Sequence, residues 1–344
     1  MAKKRIATIE DLARAAGVSS STVSRVLNHS GYVGKKTRQT VENVIKAHGF
    51  IPNAAARSLS TARTALVGLI IPSFDNPVYL EILKGVNSAA IQNGYSVVLS
   101  ESGEDPENIK RSMMHLAALQ VDGIAAASPE VHDVDIADYL TAFISEKIPI
   151  SQLGDADTRW RIDGVAADSH ESGRLAAEHL VRLGHERIGV VGSVLNAHVK
   201  RRVEGIREVL LKSGLRPTNI LSLEADFTQA GGYRAIQGAL AGPGRPDALI
   251  ALNDVMAIGG LLAAEEAGVA VPRELAVVGI DGIPLGSLTR PRLSSVVLPT
   301  FEMGCKLFEL IHTRLTGAYD GEARQVVFHP RLAARESSMA VRQY

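Results

Sequence analysis

Between residues 65 and 300 the chain repeats one pattern, a short apolar run followed by a helix-length amphipathic stretch. Such runs stand at 66–71, 96–100, 123–127, 148–153, 165–168, 187–192, 220–223, 248–252, 276–280 and 294–298. They are apolar throughout rather than alternating. That predicts parallel strands covered on both faces by helices. Ten strands are too many for one comfortable sheet, and the strand-helix order starts afresh near residue 187. The pattern therefore predicts two similar α/β lobes.

In open α/β sheets a ligand sits beyond the carboxyl ends of the strands. Polar residues gather at those predicted ends: Ser73, Phe74, Asp75 and Asn76 after the first run, Asp168 after the fifth, and Asn196 and His198 after the sixth. Asn253, Asp254 and Asp281 end later ones. A single Asp at a strand end is usually a helix cap. Several converging on one cleft are better explained by a polar ligand.

The first sixty-three residues are different. They hold eleven Lys and Arg against three acids, in a 344-residue chain whose formal net charge is zero. Clustered cations attract phosphates, although a solvated basic face accounts for the charge equally well. Thr8 can cap a helix and Asp11 can return the bond. Ile9, Leu12, Ala13 and Ala16 follow at helical spacing, and Gly17 stops the run. Val18 is expected as a buried turn residue. Ser19 caps a second short helix through Thr22, Val23, Val26 and Leu27, which gives a helix-turn-helix. A third helix carries Thr37, Val41, Val44, Ile45 and Ala47 and ends at Gly49. In such a motif the start of the second helix enters the major groove. Ser20, Ser21 and Arg25 would then meet base edges, while Thr22 and Ser24 reach phosphates. Arg25 can donate two parallel bonds to guanine. The alternative is a helical hairpin that binds protein.

Pro52 breaks the third helix and Asn53 can cap a short new one through Ala54, Ala55, Ala56, Arg57 and Leu59. Seven or eight residues are too few to persist alone as helix. Leu59 is an apolar side chain of the kind minor-groove binders insert between base steps. Taken alone, the residues favour an ordinary Ala-rich linker.

Several classes are disfavoured. Cys305 is the lone cysteine, so no intrachain disulfide is expected. The basic start lacks the apolar run of a signal peptide, and no run of apolar residues is long enough for a membrane span. A cytoplasmic protein with no membrane partner is expected. No GxxxxGK[ST], HExxH or GxSxG run occurs, so neither an enzyme nor a bound cofactor or metal is expected. A periplasmic solute-binding protein would explain the lobes but not residues 1–60.

The run Thr8-Ile9-Glu10-Asp11-Leu12-Ala13-Arg14-Ala15-Ala16-Gly17-Val18-Ser19, with Thr22-Val23-Ser24-Arg25-Val26-Leu27-Asn28 after it, resembles the signature of the lactose-repressor/galactose-repressor (LacI/GalR) family. So do Ile51-Pro52-Asn53, Ala56-Arg57-Ser58-Leu59, Asn76-Pro77, Gly184-His185, Asn253-Asp254 and Gly279-Ile280-Asp281. The resemblance covers essentially the whole chain. It implies an all-α helix-turn-helix DNA-binding domain at 1–50, a hinge helix at 51–63 and a two-lobed α/β domain at 64–344 like periplasmic binding proteins. The lobes are expected over about 64–164 plus 297–322, and about 165–296 plus 323–337.

The implied function is sequence-specific transcription regulation, with repression the commoner mode and activation the alternative. The implied partners are a near-palindromic double-stranded operator, a second copy of the chain and a small effector. The DNA-contacting set is Thr8, Ser19, Ser20, Ser21, Thr22, Ser24, Arg25, Asn28, Tyr32, Asn53, Ala56, Arg57 and Leu59. The resemblance also turns the linker reading into a hinge helix with Leu59 wedged in the minor groove. The implied effector set is Phe74, Asn76, Asp168, Asn196, His198, Arg202, Phe227, Asn253 and Asp281. Arg and Asp with an aromatic wall suit a sugar or polyol.

Three departures stand out. Gly34 replaces the Ser helix cap of many members. Gly154 stands where the lactose repressor has a pocket Asp, with Asp155 next to it. Lys200, Arg201 and Arg202 form a basic corner. That corner suits a sugar acid or phosphorylated sugar, or else is a solvated helix start. The last residues, 337–344, carry no leucine heptad, so a dimer is expected rather than a tetramer.

Overall fold

The computed structural model describes residues 8–27, 30–50, 63–103, 105–127, 140–141, 143, 145–194, 196–242 and 244–339. The chain divides into two compact units, Met1–Thr64 and Ala65–Tyr344.

The first unit holds α1 (Ile9–Ala16), α2 (Ser20–Leu27) and α3 (Lys35–His48). Thr8 and Asp11 close a reciprocal cap on α1, with Asp11 N–H donating to Thr8 Oγ1 at 3.2 Å and Thr8 N–H donating to Asp11 Oδ2 at 3.0 Å. Gly17 ends α1 at φ +66°, a conformation that costs glycine little. Leu12, Ala13, Val23, Val26 and Val41 form the buried core, and Val18 is only partly buried against it. Gly34 precedes α3 without a side-chain cap bond. Ala47, expected on the apolar stripe, is exposed.

The second unit carries two six-stranded sheets. Its strands are β1 (Leu66–Ile71), β2 (Ser96–Glu101), β3 (Gly123–Ala126), β4 (Ile150–Leu153), β5 (Asp163–Ala167) and β6 (Ile188–Val191). Then come β7 (Ile220–Leu223), β8 (Ala248–Ala251), β9 (Ala276–Asp281), β10 (Ser294–Val297), β11 (Gln325–Phe328) and β12 (Arg331–Ala333). The helices are α4 (Pro77–Gln92), α5 (Pro106–Ala118), α6 (Ser169–Arg182), α7 (Ala197–Lys212), α8 (Gln229–Ala241), α9 (Asp254–Glu266) and α10 (Thr300–Leu315). The first sheet runs β11-β5-β4-β3-β1-β2 and the second β12-β10-β9-β8-β6-β7. Among the described strands all pairings are parallel except β12 against β10. Central strands such as β6 and β8 are buried along their whole length, which is why their sequences are apolar throughout.

The ten expected strands are present with ends shifted by a residue or two, most at β5, expected at 165–168. β11 and β12 were not foreseen. They are short, half-exposed edge strands either side of His329-Pro330, too brief for a pattern to register. They also move the lobe boundaries. The expected switch at residue 164 falls inside β5, which belongs wholly to the first sheet. The expected 323–337 segment is divided, with β11 in the first sheet and β12 in the second. The chain thus passes between the lobes after β5, after β10 and after β11.

Within the lobes, helices pair through facing glycines. On α6 and α7, a Cβ at Gly173 would lie 2.0 Å from Arg202 O, and one at Gly205 would lie 2.1 Å from His170 O. Gly85 and Gly304 play the same part between α4 and α10, as Gly232 and Gly259 do between α8 and α9. The backbones touch, so the pairs pack rigidly.

One buried charge secures the first sheet's late edge. Asp163, fully buried, accepts from Arg314 Nε at 2.8 Å and from Arg324 N–H at 2.8 Å and Nη2 at 2.7 Å. Tyr319 lies against both guanidiniums, 5.1 Å and 4.1 Å from its ring centre. Burial pushes the Asp163 carboxyl up, but the bonds from Arg314 and Arg324 outweigh it and hold the group below the ordinary range.

Candidate functional sites: a helix-turn-helix face and an interlobe cleft

On α2, Val23 and Val26 are buried while Ser20, Ser21 and Arg25 are exposed on the other side. Ser19 precedes the helix and its hydroxyl accepts from Thr22 N–H at 3.2 Å. The same hydroxyl lies 2.8 Å from that of Ser21 and 2.9 Å from that of Thr22. This hydroxyl chain fixes the start of the helix, the end expected to face DNA. Tyr32 is 93% exposed. The Arg25 side chain lies over Gly31, whose Cβ would sit 3.5 Å from Arg25 Cδ. Asn28, Asn53, Ala56, Arg57 and Leu59 lie outside the described residues.

In the second unit a cavity of about 1450 Å³ opens at the carboxyl ends of both sheets. From the first lobe come Ser73, Asp75 and Asn76 beyond β1, Glu101 and Ser102 at the end of β2, and Leu153 and Gly154 at the end of β4. From the second come Asn196, His198, Arg202, Phe227, Asn253 and Asp281. The cleft foreseen from strand order is therefore where the structure has one.

The expected effector residues divide. Asn76, Asn196 and Asn253 line the cavity, yet each also caps a helix. They accept from Val78 N–H at 3.1 Å, Val199 N–H at 3.1 Å and Met256 N–H at 2.8 Å. Asn253 spends its amide as well, donating to Phe227 O at 3.2 Å. Phe227 is half-buried, one edge on the core and the other on the cavity. Two residues do not line the cavity. Phe74 is 46% exposed, and Asp168 caps α6 by accepting from Glu171 N–H at 2.9 Å. The strand-end rule placed both near the cleft, but Ser73 and Asp75 flank it on one side and Ser169 on the other.

Arg202 and Asp281 are the charged centre. Arg202 donates from Nη1 to Leu252 O at 2.6 Å and from Nη2 to Asp281 Oδ1 at 3.3 Å. Its Nε is buried without an acceptor. Burial pushes the Asp281 carboxyl up to about 6 although Arg202 pulls it down. Behind it Asp254, fully buried, is pushed up to about 7 by burial and then by the neighbouring Asp281. Asp254 was expected to face the cleft; it does not line it.

Of the basic corner only Arg202 reaches the cavity. Lys200 is exposed, and Arg201 pairs with Asp155 of the other lobe at 3.0 Å, both about half exposed. Gly154 explains its own departure. Its φ is +127°, and a Cβ there would lie 2.9 Å from His198 Nε2. His198, from the second lobe, fills the place a side chain at 154 would take. Sequence reasoning missed Asp226, Thr228, Tyr233 and Glu266, which line the cavity from the edge of the second sheet. Tyr233 donates to Glu266 at 2.5 Å. They lie within helices or three and more residues beyond the half-buried edge strand β7, so no strand-end signal marked them. Among the described residues no cluster of three or more His, Cys, Asp or Glu could hold a metal.

A helix-turn-helix unit followed by a two-lobed body with an interlobe ligand cavity defines a ligand-responsive transcription regulator. Residues 8–53 match the model of bacterial regulatory proteins, lacI family, and residues 177–338 match that of a periplasmic binding protein-like domain. The HTH-type transcriptional repressor PurR of Mannheimia succiniciproducens is 32% identical over 335 residues, 96% of this chain and 98% of its own. Among solved structures, the lac repressor dimer bound to operator and the anti-inducer ONPF superposes with a TM-score of 0.83 at 27% identity, over 98% of this chain and 100% of that one. The transcriptional regulator CelR in complex with cellobiose gives 0.70 at 30% identity, over 96% and 100%. The chain belongs to the lacI family of bacterial regulatory proteins. It is a helix-turn-helix transcription regulator with a periplasmic-binding-protein-like domain. No helix among the described residues is long and apolar enough to cross a membrane.

Proposed function

We propose that the chain is a repressor that binds a near-palindromic operator as a homodimer, and that an uncharged, hydroxyl-rich effector in the interlobe cavity sets its hold on DNA. Ser20, Ser21 and Arg25 read base edges. Thr8, Ser19, Thr22, Ser24 and Tyr32 contact phosphates, and the family resemblance assigns DNA contacts to Asn28, Asn53, Ala56, Arg57 and Leu59 as well. The repressor naming of PurR and the operator-bound lac repressor dimer support this reading. A protein acting on chromosomal DNA works in the cytoplasm.

The observation that carries the effector reading is the Arg202–Asp281 pair beside Phe227 in a cavity lined from both lobes. A pre-paired cation and carboxylate offer both donors and acceptors to hydroxyls, while the phenyl face covers apolar C–H surface. Asn76, Asn196 and His198 add polar groups, and Asn253 fixes the Phe227 backbone. CelR, with bound cellobiose, supports a saccharide. Sugar acids and phosphorylated sugars are disfavoured. Lys200 and Arg201 point their charge elsewhere, and Arg202, the one guanidinium lining the cavity among the described residues, is shared with a carboxylate.

Thermal-shift measurements with ribose, glucose, cellobiose, gluconate and glucose 6-phosphate test the assignment, because a ligand specific for the folded state raises its apparent stability. A neutral saccharide should raise Tm and change operator affinity. Stabilisation by the anionic members alone would overturn the charge assignment. Operator affinity unmoved by every stabilising compound would overturn the effector reading.

A further inference from the structure

Asp281 sits in a backbone conformation that it would not hold unaided. Its φ is +122°, and Gly282 follows at φ +76°. For a non-glycine residue such an angle carries strain that the surroundings must override. Three bonds converge on this turn from behind. Ile283 N–H donates to Asp254 Oδ2 at 2.8 Å. Ser295 Oγ donates to Asp254 Oδ1 at 2.6 Å, and Gly282 N–H donates to Ser295 Oγ at 3.0 Å. Leu298 N–H also donates to Asp281 O at 3.1 Å.

Room for the carboxylate has been cleared as well. A Cβ at Gly279 would lie 2.1 Å from Asp254 Oδ1. Asp254 is fully buried and outside the cavity wall, so it cannot touch a ligand there. Yet a second buried acid beside Asp281 is an electrostatic burden, which an apolar or amide residue would avoid.

We propose that Asp254 is the positioning residue of the effector cleft, using its two carboxylate oxygens to hold Ser295 and Ile283 so that the strained turn presents Asp281 to Arg202. This deepens the effector reading and rests on it. Asparagine has a single acceptor oxygen and cannot serve both donors in the same way. The carboxylate is therefore needed for its two acceptors rather than for its volume. The arrangement also explains why Asn253-Asp254, Gly279 to Gly282 and Ser295 form one structural unit from three separate segments.

The test uses full-length protein with Asp254→Asn and, separately, Ser295→Ala, which removes the bridge without touching the acid. Hydrogen–deuterium exchange at Gly282 and Ile283 should quicken at least tenfold in Asp254→Asn, and at Gly282 in Ser295→Ala. The Tm at pH 8 should not fall in Asp254→Asn, where a purely structural part would lose both together. This readout needs no effector and so stands apart from the effector reading. For whichever saccharide of the panel above stabilises the wild type, affinity should fall at least tenfold in Asp254→Asn. Unchanged exchange in both variants would overturn the proposal. So would quickened exchange that merely follows a lowered Tm, or a turn loosened by Arg202→Ala but by neither of these substitutions.

Discussion

Two glycine-to-alanine substitutions on helices of the same body should move stability in opposite directions. Gly173 lies in α6, and a Cβ there would stand 2.0 Å from the carbonyl oxygen of Arg202 on α7. Restoring a normal contact requires the backbones to part by roughly 1.5 Å. Because Gly205 packs on the carbonyl of His170 in return, so closely that an added Cβ would lie 2.1 Å from it, neither helix can slide aside. Overpacking of this kind costs about 1–3 kcal/mol, and a clash with backbone belongs at the top of that range. Alanine returns about 1 kcal/mol of helix propensity, so the net loss is about 2 kcal/mol. For a body of this size that lowers Tm by about 3–4 °C. Gly238 in α8 has nothing within 4 Å of the same added carbon. There the propensity gain stands alone and Gly238→Ala should be stabilising by about 1 kcal/mol. Urea unfolding of full-length protein followed by circular dichroism measures both. A Gly173→Ala protein as stable as wild type, or a Gly238→Ala protein that falls with it, would refute the packing argument. Since the displaced atom belongs to Arg202, Gly173→Ala should also weaken effector binding beyond its effect on stability.

Asp163→Asn strands two guanidiniums in a buried site and should cost about 3–5 kcal/mol by denaturant titration. Because the folded Asp163 carboxyl is held below its unfolded value, its contribution is present above pH about 4 and lost as pH falls further, so the variant should show a shallower acid limb. Asp254 works the other way. Its carboxyl is raised to about 7 in the fold, so its contribution is present below pH about 4 and lost as pH rises through about 7. Tm measured across that window should fall less in Asp254→Asn than in wild type. Arg25→Ala should cost about 1–3 kcal/mol of operator affinity and relax sequence preference, as read by competition binding against mutated half-sites. Arg202→Ala should leave effector-free operator binding intact and remove the effector response; a wild-type response in gel-shift titrations would place the ligand elsewhere.

What the sequence disclosed follows from which forces act over a few residues. Strands β6 and β8 are wholly buried, so their apolar runs were unmistakable, and Gly17 and Thr8 marked helix ends through local backbone chemistry. β11 is half exposed and three-residue β12 is shorter still. Their place is set by partners distant in the chain, Gly164 of β5 for Gln325 of β11 and Ser295 of β10 for Ala333 of β12, which no local pattern carries. The cleft was legible because strand ends must lie there. Which strand-end side chains face it was not. Asp168 and Phe74 sit at the right positions and serve a helix cap and the exposed surface instead. The cap reading given to a single Asp proved apt for Asp168, and it extends to Asn253, whose amide and carbonyl are both engaged. The basic corner at 200–202 needed coordinates too, since a single step of about 100° around the helix separates a cavity-lining Arg202 from an Arg201 that meets Asp155.

The three passages of the chain between the sheets have a consequence for how such a protein can be cut, fused or recombined. Neither lobe is a continuous stretch of gene: a truncation at any point in 169–297 removes strands of the second sheet and, with them, β11 of the first. The two halves of the body must be inherited, expressed and folded together. The unit at the front is unbroken in the chain, and it is there, before Ala65, that a shuffling event could exchange a reading head without disturbing the sensor.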